Sequence, residues 1–111
     1  MIVTPRRRIA TIRRAQVPAL ANFARAYLHE DFEAEYGSPE GAAAAFSAAA
    51  SETERADLAR DIAHLTTTAE RWSVAALQRF MTREIGGAWR PESVDAVKAL
   101  EQALKAGSRL E

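Results

Sequence analysis

Cysteine is absent from the 111 residues, and lysine occurs only at Lys98 and Lys105. Without a thiol there is no disulfide, no thiolate-bound zinc or iron–sulfur cluster, and no cysteine nucleophile. Long apolar runs are missing too: nothing approaches the roughly 20 residues of a membrane-spanning helix, so no membrane association is expected. In residues 1–14 the apolar positions are broken by Arg13 and Arg14, which leaves no signal-peptide core. Glycine is scarce, and there is no glycine-rich phosphate loop, no G-x-S-x-G and no dinucleotide fingerprint. Only two histidines occur, His29 and His64, and neither belongs to an H-E-x-x-H pair. We therefore expect no metal, no cofactor and no enzymatic activity.

What remains resembles an ordinary globular domain, with 48% apolar and 27% charged residues. A chain this long forms one domain and buries roughly two-thirds of its unfolded surface. The lack of cysteine fits a reducing cytoplasm. The 25 alanines and the preference for arginine over lysine fit a GC-rich bacterial genome.

The formal net charge of zero conceals an uneven distribution. Residues 1–14 contain Arg6, Arg7, Arg8, Arg13 and Arg14 and no acid, so the rest of the chain is net acidic. Between Leu28 and Asp57 lie Glu30, Asp31, Glu33, Glu35, Glu40, Glu52, Glu54 and Asp57, opposed only by Arg55. The division expected is a basic N-terminal arm over 1–16 that need not be ordered, a helical domain over 17–107 and a tail over 108–111.

Helix signals fill the domain, and no strand is convincing. Pro18 suits a first turn, and Leu20, Phe23, Tyr27 and Leu28 follow on one side at steps of three and four. Phe32 and Tyr36 continue the step as far as Gly37, a helix terminator. Ser38-Pro39-Glu40 opens a second helix, propagated by Ala42–Ala45 and anchored by Phe46. Ser51 and Glu54 form an S-x-x-E capping box ahead of Leu58, Ile62 and Leu65, and the β-branched Thr66, Thr67 and Thr68 end that helix. Ser73 caps a further helix with a stripe of Val74, Leu77, Met81 and Ile85, stopped by Gly86-Gly87. Ser93 caps the last, which buries Val94, Val97, Leu100 and Leu104 and stops at Gly107. The fold class is all-α: a single small bundle of four to five short helices.

The polar residues form no catalytic set. His29 and Asp31 do not share a helical face, although His29 to Glu33 is one helical turn. The carboxylates lie on solvent-facing positions rather than opposed across a cleft, as hydrolysis of a glycoside would need. Three consecutive arginines attract phosphate, but the acidic domain behind them repels it, so no nucleic acid is expected. Tyr36 and Trp72 lie near helix ends, where a large ring either seals a junction or anchors an interface. A lopsided acidic surface suits a basic protein partner, because complementary potentials speed association and reject wrong partners.

Two stretches resemble the small immunity proteins of contact-dependent growth inhibition systems. The first is Leu20-Ala-Asn-Phe23-Ala-Arg-Ala-Tyr27-Leu28-His29-Glu30-Asp31-Phe32, followed by Glu35-Tyr36-Gly37-Ser38. Tyr27, His29, Asp31 and Phe32 match the family's core motif; Leu28 replaces a usual Phe and Glu30 a usual Gln. The second is Ile85-Gly86-Gly87-Ala88-Trp89-Arg90-Pro91, similar to a Leu-Gly and aromatic-x-Pro segment. A Trp-Leu pair common in the family's last helix is missing, with Ala99-Leu100 nearby instead. The resemblance implies a bacterial cytoplasmic antitoxin that binds the C-terminal domain of a delivered toxin, in many cases a nuclease. It brings no catalytic residue. Tyr27, His29, Asp31, Phe32, Gly86, Trp89 and Pro91 are then expected to be structural. The toxin-binding surface is expected at Glu30, Glu33, Glu35, Tyr36, Glu40, Glu52 and Glu54. Two other readings remain: a non-enzymatic regulatory or scaffold module, and a nucleic-acid binder using the arginine arm. The sequence sets no oligomeric state.

Overall fold

A computed structural model describes residues 11–108. A short 3-10 turn, Arg14–Gln16, precedes six helices: α1 (Pro18–Tyr27), α2 (Phe32–Tyr36), α3 (Pro39–Ala49), α4 (Glu52–Thr68), α5 (Val74–Arg79) and α6 (Val94–Ser108). No strand occurs among the described residues, and the fold is all-α as expected. The arginines at 6–8 and residues 109–111 lie outside the described residues.

The local start signals operate as the sequence implies. Ser38, Ser51, Ser73 and Ser93 each accept a backbone N–H three residues on, from Gly41, Glu54, Ala76 and Ala96. Glu54 returns the bond by accepting from the Ser51 N–H at 2.8 Å, which completes the capping box. Gly37 ends α2 at φ 81°, a left-handed conformation that glycine adopts without steric penalty.

Two further caps come from side chains of α4, one of them distant in sequence. At α1 the N-cap residue is Val17, which has no side-chain acceptor. The buried carboxylate of Asp61 on α4 takes its place, accepting from the N–H groups of Ala19 at 2.8 Å and Leu20 at 3.1 Å. At the other end of α3, Arg55 donates to the carbonyls of Ser47 and Ala50, so its charge serves a helix C-terminus.

Several expectations need correction. Phe46 anchors α3 on Phe23 and Tyr27 but stays half-buried, and the fully buried positions are Ala42, Ala43 and Ser47. Their small side chains bring α3 close along α6, where the Ser47 hydroxyl donates to the Leu104 carbonyl at 2.7 Å. The alanine run is therefore a packing surface as well as a helix former. Val74 does not join the buried stripe and stays 47% exposed, whereas Phe80 is buried. The α-helix stops at Arg79, and Phe80–Glu84 widen into a π turn closed by the Ile85 N–H on the Phe80 carbonyl. That widening turns the buried face toward Leu77, Phe80, Met81 and Ile85. Gly107 does not stop α6, which continues to Ser108. The packed unit also begins ahead of residue 17. Ile12 belongs to the core, and Arg14 donates to the Glu84 side chain and carbonyl, each at 2.9 Å.

Candidate functional site

Phe23, Tyr27 and Leu28 follow α1 to its end, where the chain breaks from the helix over 28–31 before α2 begins. His29 sits in this break and bridges it. Its Nδ1 accepts the Asp31 backbone N–H at 3.1 Å, and its Nε2 lies 3.3 Å from Glu35 on α2. An accepting Nδ1 places the ring proton on Nε2, facing that carboxylate. His29 thus meets the main chain of Asp31 and the side chain of Glu35. The one-turn step to Glu33 is not used, because residues 28–31 are not helical.

The second motif stretch docks on the first. The Ala88 N–H donates to the Leu28 carbonyl at 2.7 Å, and the Gly87 N–H to Met81 at 3.1 Å. Gln78 fixes the far side by donating to the Pro91 carbonyl at 3.0 Å. Leu28, Phe32 and Pro91 are buried, Tyr27, His29 and Trp89 half-buried, and Asp31 and Gly86 exposed.

Four rings form a continuous cluster across α1, α2 and α3. Phe23 stacks on Tyr27 with centroids 5.5 Å apart, Phe46 meets both edge-on, and Tyr36 tilts against Tyr27 at 5.5 Å. The Tyr36 phenol is held above its usual value of 10 by burial first, then by the charge of Glu35 and a hydrogen bond to it.

The cluster floors an open groove of about 390 Å³. One wall is α1, with Pro18, Ala19, Asn22, Phe23, Ala26 and Tyr27; the other is α4, with Glu54, Asp57 and Arg60; Phe46 closes the base. Periodicity places Phe23, Tyr27 and Phe46 in the core, whereas in the fold only Phe23 is fully buried and Tyr27 and Phe46 are partly open to solvent. The usable signal was the small Ala19, Asn22 and Ala26 beside them on α1, too short to cover the rings.

The seven carboxylate and tyrosine positions expected to meet a partner fall into two groups rather than one continuous face. Glu30, Glu33, Glu35, Tyr36 and Glu40 gather at α2 and the start of α3; Glu52 and Glu54 stand at the start of α4. Helix α3, about 16 Å long at 1.5 Å per residue, separates Glu40 from the second group. Every one of the glutamates is exposed and Tyr36 is half-buried. Glu54 alone of the seven lines the groove, and Tyr36 borders it through Tyr27.

Backbone and side-chain hydrogen bonds from Ser51 hold the Glu54 pKa below its usual 4.5. A carboxyl whose folded pKa is depressed adds stability in full above its unfolded pKa and loses it as pH falls through the folded one. The Glu54→Gln variant retains the cap geometry and should lose that part of the acid sensitivity. Urea unfolding compared between about pH 5 and about pH 3 should show a shallower decline for the variant than for the parent.

Among the described residues, no three His, Asp or Glu side chains converge into a metal site, and no helix is long and apolar enough to cross a membrane. Fold and surface together define a small all-α domain whose exposed chemistry is carboxylate groups beside an aromatic groove. A family model described as CdiI immunity protein matches residues 16–102, which contain both motif stretches and every groove residue, and the chain belongs to that family. No match was found among curated proteins or among solved structures. Membership implies a toxin-neutralising immunity protein with a cognate contact-dependent inhibition toxin as partner.

Proposed function

We propose that the chain neutralises its toxin inside the bacterial cell that makes it, by laying the α2 and α4 carboxylates against a basic surface around the toxin's active site. A nuclease is the toxin class that best suits this chemistry, because a site that binds phosphate presents the positive charge these carboxylates complement. The observation that supports the reading is the exposure of Glu30, Glu33, Glu35, Glu40, Glu52 and Glu54, none of which is withdrawn into the core. Tyr36, wedged between Tyr27 and Glu35, is the anchor proposed for the contact. His29 and the Ile85–Pro91 segment act indirectly, by fixing where α2 stands.

The test is co-expression with the toxin domain encoded beside this gene. Growth should be restored by the chain and not by a catalytically irrelevant helical control. Equal killing with and without the chain, for every toxin domain encoded beside it, defeats the reading. The triple variant Glu30→Lys, Glu33→Lys and Glu40→Lys alters only exposed positions, so it should stay folded, with a melting temperature lowered only by the reversed charges at the N-termini of α2 and α3. Its association rate with the toxin should fall by at least about tenfold at low salt, and the gap should narrow as salt rises. Stopped-flow binding at two salt concentrations measures both.

A further inference from the structure

The groove between α1 and α4 combines two features that each attract a cation. Its floor is aromatic: Tyr27 and Phe46, both partly open to solvent, lie over the buried Phe23, with the three ring centroids within 5.6 Å of one another. Its α4 wall bears the carboxylates of Glu54 and Asp57. Ring faces attract cations through their quadrupole, and carboxylates add charge and hydrogen-bond acceptors. Apolar rings also cover the methylene stem that an arginine or lysine brings with its charge. At about 390 Å³ the groove falls in the range of small-ligand clefts, roughly 300–1,000 Å³.

We infer that this groove receives a cationic side chain, an arginine of the partner, with its guanidinium between the aromatic floor and the Glu54 and Asp57 carboxylates. The inference rests on the toxin-binding reading and adds to it a defined receptor for one residue of the partner. Arginine is favoured over lysine because its flat guanidinium both stacks on a ring and pairs with a carboxylate through parallel N–H donors.

The groove already contains a cation at its edge. Arg60, one turn along α4, lies 3.2 Å from Asp57, and its side chain is 70% exposed. Such a solvent-exposed pair contributes little and yields easily to a competitor. Arg60 thus stands in for the incoming guanidinium in the free protein and moves aside when it arrives. A structural rim would not require this exchange, and it reverses the usual expectation for a charge at an interface: removing Arg60 should strengthen binding.

The first probe is N-acetyl-arginine amide, with its neutral isostere N-acetyl-citrulline amide as control, titrated into the full chain and followed by amide NMR shifts. Saturable shifts should concentrate at Ala26, Tyr27, Phe46, Glu54 and Asp57, and citrulline should bind about tenfold more weakly, the ratio expected from losing a ring-face and carboxylate contact with a cation. The double variant Glu54→Gln and Asp57→Asn, which preserves the α4 cap, should weaken arginine binding about fivefold or more, and Arg60→Gln should tighten it about two- to threefold. Equal binding of citrulline, shifts confined to α2, or a linear response without saturation overturns the inference. So does weaker binding by Arg60→Gln, which would mean that Arg60 itself is the contact.

The second arm separates this inference from the reading it rests on. If the parent chain protects against the neighbouring toxin and the Glu54→Gln, Asp57→Asn variant protects equally well, the groove is not the receptor and toxin neutralisation stands. If the parent gives no protection, the toxin reading falls, whatever the arginine titration shows. If a second copy of this chain, rather than arginine amide, perturbs the groove in a concentration series, the groove is a self-association site and the inference is wrong.

Discussion

Gly41→Ala should destabilise the protein by about 3 kcal/mol, although the same change in most helices stabilises by up to about 1 kcal/mol. Gly41 is in the first turn of α3, just past the Ser38 cap whose hydroxyl accepts its N–H. A Cβ built there meets the carbonyl oxygen of Tyr36, and next its carbon at 3.1 Å, both main-chain atoms that no rotamer change can move. The chain between α2 and α3 must shift to accommodate it. That shift displaces Glu33, Glu35 and Tyr36 together, because α2 is only five residues long and moves as a unit. Chemical denaturation should therefore show a lower midpoint, and toxin binding should weaken beyond what stability alone explains. A variant as stable as the parent would show that the approach of α3 to Tyr36 is not fixed by Gly41.

Asp61→Ala should have an effect of similar size. The carboxylate is 3% exposed and accepts from both Ala19 and Leu20, the first N–H groups of α1 that need an acceptor, since Pro18 has none to offer. Hydrogen bonds to a charged acceptor contribute about 1.5–3 kcal/mol each, and buried donors left unpaired add their own penalty. A loss of about 3 kcal/mol is expected, or roughly 10–20 °C in melting temperature for a domain of this size. Asp61→Asn retains an accepting oxygen and loses only the charge at the positive end of the helix, so it should cost about 1 kcal/mol. Differential scanning calorimetry of the two variants separates the bond from the charge. Equal losses would mean that charge, not bonding, accounts for the effect.

These two sites show where reading from the chain stops. Ser38, Ser51 with Glu54, Ser73 and Ser93 announce their helices because a cap is made within three residues, and sequence order and spatial order then coincide. Asp61 gives no such sign. It caps a helix 42 residues earlier, and its neighbours Arg60 and Ile62 suggest only one more polar position on an amphipathic helix. The same limit applies to Ala42, Ala43 and Ser47, whose meaning depends on α6 lying alongside, and to Val74, left exposed at the first position of α5. At the candidate site the charges were legible, because exposed carboxylates are visible in composition. The groove was not, since a ring at core spacing looks the same whether its neighbour on the next helix is large enough to cover it or not. The family motif was legible as letters; that Ala88 grips Leu28, and so joins its two halves, is a property of the folded chain.

The contact of α3 with α6 has a consequence for the time at which protection begins. Ala42, Ala43 and Ser47 lie against α6, and the Ser47 hydroxyl finds its acceptor at Leu104. During synthesis, α1 to α4 leave the ribosome first, but the alanine face of α3 remains bare until residue 104 has emerged. The aromatic groove and the α2 carboxylates depend on α3 for their position. If the proposed surface carries neutralisation, a nascent chain gains no defence from being half made. On that proposal, a cell's reserve against an incoming toxin is counted in chains completed through α6.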